Sequence, residues 1–109
     1  MEDVYNFNAA GFAVNEQELN LIEGIQANLW TETVPDRGRL DFLLFPRLAA
    51  LAESAWTKQK NKNLEAFKFR LKSHLNLYNQ AGLYYYDPFQ PAQHPETPVK
   101  RKKPLNYKD

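Results

Sequence analysis

The stretch Gly24-Ile25-Gln26-Ala27-Asn28-Leu29-Trp30-Thr31-Glu32 decides how this chain is interpreted. Its alternation of apolar and polar residues predicts a β-strand over about residues 24–30 that runs into a loop. Because successive side chains of a strand point to opposite faces, Gln26, Asn28 and Trp30 share one face, and Glu32 continues that face wherever the extended geometry persists. The apolar side chains of the stretch occupy the other face.

Two amides, an indole and a carboxylate on one face allow two interpretations. The first is a carbohydrate site, because an aromatic face supports the apolar side of a sugar ring while amide and carboxylate oxygens accept hydrogen bonds from its hydroxyls. The second is an edge strand whose polar face lies in water, which is a common arrangement. The alternation by itself leaves both interpretations open.

Two longer segments carry the signals of helices. A stripe of apolar residues predicts a helix over about residues 39–56, and Pro46 inside it produces either a kink or the start of a second helix. Another stripe, preceded by Asn63 as an N-cap and followed by Gly82, predicts a helix over about residues 63–81. The first stripe consists of Leu40, Leu44, Leu48, Leu51 and Ala55.

The two ends of the chain differ in composition. Asn15 with Glu18 three residues later forms a capping-box pattern, which predicts a short helix over about residues 16–22. Five of the seven prolines follow Asp87, and no apolar periodicity survives there. We therefore assign residues 1–86 to the folded segment and residues 87–109 to a Pro-rich basic tail.

Charge and composition argue against several classes of function. The net charge is +1, so the chain has no general affinity for nucleic acid or anionic membranes, and the run Lys100–Lys103 is typical of a solvated surface. There is no cysteine, and His74 and His94 lack the spacing of metal ligands. No apolar run approaches the roughly 20 residues of a membrane span. We expect no metal and no cofactor, and the compartment stays open.

A family resemblance is carried by Gly24–Glu32 together with Phe45-Pro46-Arg47-Leu48-Ala49-Ala50-Leu51-Ala52-Glu53-Ser54-Ala55-Trp56. These motifs resemble the end of the catalytic domain of glycoside hydrolase family twenty, the β-N-acetylhexosaminidases, over roughly residues 4–90. The resemblance implies an α/β class, in which the chain holds the last strand and helices of a (β/α)8 TIM barrel. A whole barrel needs about 250 residues, so we expect a fragment that is mostly α-helical by itself.

The resemblance also implies roles for the polar face of the predicted strand. Trp30 corresponds to an aromatic wall under the sugar, and Glu32 to an acceptor for hydroxyls on the far side of the ring. Gln26 and Asn28 are expected to brace neighbouring loops. The adjacent Asp-Glu pair that performs substrate-assisted catalysis in this family is absent, since the chain contains no Asp-Glu dipeptide. No catalytic residue is therefore expected here.

Two functional hypotheses follow. In the first, the chain is part of an exo-acting β-N-acetylhexosaminidase that hydrolyses terminal N-acetylhexosamine residues of glycans or chitin-type oligomers, and it needs the rest of the barrel as a partner. In the second, it is a non-catalytic helical interaction module that self-associates through its exposed strand. Neither hypothesis chooses between N-acetylglucosamine and N-acetylgalactosamine.

Overall fold

The structure is a computed structural model that describes residues 1–13 and 15–99. Its described part contains five α-helices and three short 3-10 turns, and no β-strand. The helices are α1 (Glu2–Tyr5), α2 (Glu16–Leu19), α3 (Arg37–Leu44), α4 (Arg47–Trp56) and α5 (Leu64–Gln80), and the 3-10 turns are Ala9–Phe12, Thr31–Thr33 and Gln59–Asn61. The regular secondary structure of the described residues is thus helical, in agreement with the helical character expected of the fragment. None of these helices is long and apolar enough to cross a membrane.

The strand expected over residues 24–30 is not formed in the structure. Residues 22–30 have no regular secondary structure, although the backbone at Trp30 is extended, with φ −85° and ψ 125°. A strand is stabilised by the ladder of hydrogen bonds with a neighbour, and no second strand lies beside this segment among the described residues. The alternating pattern therefore does not form the predicted strand in this chain, because the local sequence cannot supply the ladder.

The helix expected over residues 39–56 is divided into α3 and α4 at Pro46. Proline lacks the N–H that continues a helix, and its ring clashes with the preceding turn. The side chain of Asp36 accepts a hydrogen bond from the backbone N–H of Arg39 at 2.8 Å and thereby caps the start of α3. The predicted range thus contains two helices separated by Phe45 and Pro46, as in the alternative of a second helix that starts at the proline.

The side chain of Arg47 joins the two helices. Its guanidinium donates to the carbonyl oxygens of Phe42 at 2.9 Å and Leu43 at 3.1 Å, which lie in the last turn of α3. These carbonyls have no partner within the helix, so the arginine satisfies them. The same guanidinium lies 5.3 Å from the ring centre of Tyr86.

Helix α5 begins and ends within one residue of the predicted range. The side chain of Asn63 caps its first turn, and Gly82 follows it with φ +67°, a conformation that glycine adopts without strain. The N–H of Leu83 donates to the carbonyl of Tyr78 at 3.0 Å, which closes a Schellman turn. The chain reverses there and returns toward the other helices.

The core lies between α1, α4 and α5. Tyr5 is only 1% exposed, and its ring stacks on Phe67 with 4.9 Å between centroids. Its hydroxyl accepts from the N–H of Asn63 at 2.8 Å and donates to the Glu53 carboxylate at 3.3 Å, which is also paired with Arg70. The remaining buried apolar side chains of this cluster are Ala50, Leu71, Leu75 and Tyr85.

Residues 87–99 are irregular, as expected, but they pack against the helices. Asp87 is buried, and its carboxylate accepts from the N–H groups of Phe89 at 2.8 Å and Gln90 at 3.0 Å. The hydroxyl of Tyr84 donates to the carbonyl of Pro95 at 2.8 Å. Contacts thus cross the boundary placed after residue 86. The basic run Lys100–Lys103 lies outside the described residues.

Candidate functional site

The segment that carries the four candidate residues lies on the surface of the chain. Gln26, Asn28, Trp30 and Glu32 are all exposed, and Trp30 retains 74% of its accessible surface. Trp30 is therefore not a core tryptophan that covers its own helices. It immediately precedes the 3-10 turn Thr31–Thr33, which contains Glu32.

All four candidate side chains are available for external contacts. Within residues 1–13 and 15–99, none of them makes a hydrogen bond or an ion pair with another side chain or with the backbone. A buried amide or carboxylate without a partner is destabilising by about 1–3 kcal/mol, but water satisfies these groups at the surface. The chain by itself therefore does not fix the orientation of the polar groups that a ligand would need.

Two neighbouring cavities lie beneath this segment. The first, of about 360 Å³, is bounded by Asn28 and Leu29 on one side and by leucines of α3 and α4 on the other. The second, of about 300 Å³, is bounded by Gln26 and by Leu51 of α4. Neither cavity is lined by Trp30 or Glu32. The described residues thus bring Gln26 and Asn28 close to helical apolar surface, and they do not enclose the indole and the carboxylate in one concave site.

The first cavity forms a groove along the leucine stripe of α3 and α4, which we call the leucine groove. The two helices contribute Leu43, Leu44, Leu48 and Leu51 to it, and Leu29 lines it from the opposite side. The residues that α4 buries are Ala50 and Ser54. Because small side chains allow close approach, this face of α4 packs against α1 and the opposite face remains partly open, with Leu48 39% exposed.

A third cleft, of about 280 Å³, lies at the C-terminal end of α4. It contains Lys62, whose ammonium group donates to the carbonyl of Phe7 at 2.9 Å and to the Ser54 hydroxyl at 2.8 Å. The Ser54 hydroxyl itself donates to the same carbonyl at 3.3 Å. Because Lys62 acts as a donor here, this arrangement links two segments of backbone and lacks a general base for serine chemistry.

Sequence reasoning missed the contacts that hold the returning chain. Arg39 is 7% exposed, pairs with Glu96 and donates to the carbonyl of Thr97 at 3.3 Å. The Nδ1–H of His94 donates to the backbone carbonyl of Tyr85 at 2.9 Å. The imidazole also packs edge-on against the phenol ring of Tyr85. The aromatic run at residues 84–86 was the signal for this packing, whereas nothing in the sequence pointed to Arg39.

Titration shifts occur away from the candidate site. Burial raises the pKa of the Tyr78 hydroxyl above its ordinary value of 10.0. The hydrogen bond from Lys68 at 2.7 Å lowers the pKa of Glu2, and the same contact raises the pKa of Lys68. The described residues also contain no group of three or more His, Asp or Glu side chains suited to a metal ion.

Comparison with known proteins gives the family. The model of "Glycosyl hydrolase family 20, catalytic domain" matches residues 1–59. A β-N-acetylhexosaminidase of Cellulomonas fimi is 38% identical over 63 residues, which are 58% of this chain and 13% of that protein. A β-hexosaminidase of Porphyromonas gingivalis is 32% identical over 98 residues, 90% of this chain and 12% of that protein.

An N,N′-diacetylchitobiase of Vibrio harveyi is 31% identical over 68 residues, which are 62% of this chain and 8% of that protein. The chain thus spans only a small part of the length of each of these relatives. The matched family region includes the whole of Gly24–Glu32 and α3 and α4. The chain belongs to glycosyl hydrolase family 20.

Proposed function

We propose that this chain is the C-terminal part of the catalytic barrel of an exo-acting β-N-acetylhexosaminidase. The assembled enzyme would remove terminal N-acetylhexosamine residues from glycans or chitin-type oligomers. Trp30 forms an aromatic wall under the terminal sugar, and Glu32 accepts hydrogen bonds from its hydroxyls. Gln26 and Asn28 brace neighbouring loops. The catalytic Asp-Glu pair is supplied by other polypeptide, since this chain has no such dipeptide.

The observation that carries the proposal is the family match over residues 1–59, which contains both Trp30 and Glu32. Relatives described as β-N-acetylhexosaminidase and N,N′-diacetylchitobiase are 38% and 31% identical to this chain over 63 and 68 residues. The exposure of Trp30 supports a binding role, because a tryptophan with 74% of its surface in water is not used for the chain's own core.

The leucine groove supports the proposed need for the rest of the barrel. In a TIM barrel the helices pack their apolar faces against the central sheet. Here the face with Leu44, Leu48 and Leu51 is only partly covered by residues 27–29, and the part of the chain that the structure describes forms no strand beneath it. Neighbouring strands would cover this face and would also supply the ladder that segment 24–30 lacks.

A chimaeric enzyme tests the proposal. Residues 1–99 of this chain, which include Glu96 and Thr97, replace the matching segment of the Porphyromonas gingivalis β-hexosaminidase, and hydrolysis of a chromogenic N-acetylglucosaminide is measured. We expect the chimaera to be active. Hydrogen bonds to a charged group contribute about 1.5–3 kcal/mol, so Glu32→Ala is expected to lower kcat/KM by about 10- to 100-fold. Trp30→Ala is expected to lower it by about tenfold.

Matched controls separate a binding role from a general loss of folding. Glu16→Ala and Trp56→Ala remove an exposed carboxylate and an exposed indole from the same segment, and both are expected to leave kcat/KM near that of the chimaera. Thermal unfolding of every variant is recorded. Full activity of a folded Glu32→Ala chimaera would contradict the assigned role of Glu32.

The second hypothesis, an interaction module that self-associates through an exposed strand, receives less support. The helices it requires are present, but the strand is not formed among the described residues. The family match also accounts for the segment without it. We therefore keep the glycoside hydrolase assignment as the function that the observations support best.

A further inference from the structure

Charge is distributed unevenly along the chain, although the net charge is only +1. Residues 1–36 contain seven acidic residues and no lysine or arginine. Within this part, residues 15–23 hold three glutamates, and within the later part, residues 56–62 hold three lysines and no acid. We call these segments the acidic rim and the basic rim.

The two rims border the same cleft of about 280 Å³. Ile22 and Glu23 line it from the acidic rim, and Thr57, Gln59 and Lys62 line it from the basic rim. The cleft therefore has opposite charges on two of its walls. The cleft is also lined by Ser54 and Ala55 of α4, which immediately precede the basic rim in the sequence.

Each rim also carries a large apolar side chain that the chain does not cover. Trp56 of the basic rim is 91% exposed, and Leu21 of the acidic rim is 78% exposed. Tryptophan is the residue most enriched among the energetic centres of protein interfaces, where a surrounding polar ring excludes water. An exposed indole beside a cleft with charged walls therefore fits an interface better than a solvated surface.

We propose that the two rims form a symmetric interface with a second copy of this chain. A twofold axis presents the same patch of both copies to each other, so a patch must be complementary to itself. This patch meets that condition, because each acidic rim then faces the basic rim of the other copy. Trp56 of each copy packs into the cleft of its partner, against the side of Leu21 and Ile22. The inference is independent of the proposed sugar site, because Trp30 and Glu32 belong to neither rim and do not line the cleft.

Sedimentation equilibrium of the 109-residue chain tests the proposal. We expect a monomer–dimer equilibrium that weakens in about 1 M salt, where the Debye length falls to about 3 Å. Trp56→Ala is expected to raise the dissociation constant by at least about tenfold. Phe69→Ala, which removes an aromatic ring that is 79% exposed on α5 and outside the cleft, is the matched control and is expected to leave it unchanged.

Charge reversal supplies a second and more specific measurement. The variants E16K/E23K and K58E/K60E alter only exposed side chains, so both are expected to fold with the helical circular dichroism of the parent chain. Each alone is expected to be monomeric because like charges then face each other, and an equimolar mixture is expected to form a heterodimer. Recovery of association on mixing would show that the two rims meet across the interface.

Three results would overturn the proposal. The first is a parent chain that stays monomeric at all concentrations. The second is a dimer whose dissociation constant is unchanged by Trp56→Ala and by both charge reversals. The third is a dimer that is lost with Leu48→Glu and retained with Trp56→Ala, because this result places the contact in the leucine groove.

Discussion

Two regions of the molecule differ in what stabilises them. One region, made of residues 1–5 and 37–86, contains the longer helices, whose side-chain caps are Asp36 and Asn63, a Schellman turn at Gly82 and an aromatic core that includes Tyr5. The described residues of the other region, 6–13 and 15–36, form one four-residue helix and two 3-10 turns, and most of their side chains are exposed. The comparison teaches that a helix can satisfy its own backbone hydrogen bonds, whereas an extended segment depends on a neighbour.

Loss of the aromatic core should produce the largest effect. Tyr5→Ala removes a ring that is 1% exposed and stacked on Phe67, and it is expected to destabilise the chain by about 3–5 kcal/mol. Chemical denaturation measures the free energy of unfolding. Tyr5→Phe keeps the ring and is expected to cost about 1 kcal/mol. Phe12→Ala, at an aromatic that is 77% exposed in the other region, is the control, and a loss equal to that of Tyr5→Ala would erase the difference between the regions.

Hydrogen exchange of the backbone amides should show the same difference between the two regions. The amides within α5 are expected to exchange at least about a hundredfold more slowly than those of residues 24–30, because only the former are held in a cooperative unit. In the chimaeric enzyme, residues 24–30 are expected to become protected as the barrel supplies neighbouring strands. Slow exchange of residues 24–30 in the isolated chain would contradict this view.

The N-caps of the two regions should contribute differently to the free energy of unfolding. Asn63→Ala removes the cap of the 17-residue helix α5 and is expected to lower the free energy of unfolding by about 1 kcal/mol. Asn15→Ala removes the same kind of cap from the four-residue helix α2, which adds little to the core, and thermal denaturation is expected to show almost no change. A larger loss from Asn15→Ala would mean that the region with α2 contributes more to stability than its packing suggests.

The smallest effect concerns alkaline pH. Burial raises the pKa of Tyr78 above 10.0 in the folded chain. The folded state therefore holds this proton more firmly, so the associated stability is fully present below pH 10.0 and is lost as the pH rises through the raised value. Tyr78→Phe is expected to flatten the decline of the melting temperature in this range. If the melting temperature of Tyr78→Phe declines as steeply as that of the parent chain, other groups cause the decline, such as Lys68, whose pKa is also raised.

Helices were predictable from the sequence because their signals are local. Asn63 and Gly82 set the ends of α5, and Pro46 separates α3 from α4, as the backbone chemistry of these residues requires. The strand over residues 24–30 was not obtained, since its hydrogen-bond partners are remote in sequence or lie on other polypeptide. The element that packs against the small-residue face of α4 could not be predicted, because α1 is remote from Ala50 in the sequence.

The candidate site was predictable only in part. The motif located Trp30 and Glu32, and the structure leaves both side chains exposed. Their joint orientation depends on surroundings that these residues do not encode, so the enclosure of a sugar stays a prediction. The pairing of Arg39 with Glu96 could not be foreseen, since the two residues lie 57 positions apart and neither belongs to a recognisable pattern.

The ion pair between Arg39 and Glu96 limits how far the chain can be truncated at its C-terminal end. A version that stopped before Glu96 would leave a nearly inaccessible guanidinium without its counter-ion, directly after the loop that carries Glu32. The resulting disturbance would be transmitted to the beginning of α3. Crystallisation trials should therefore retain the chain at least through Thr97.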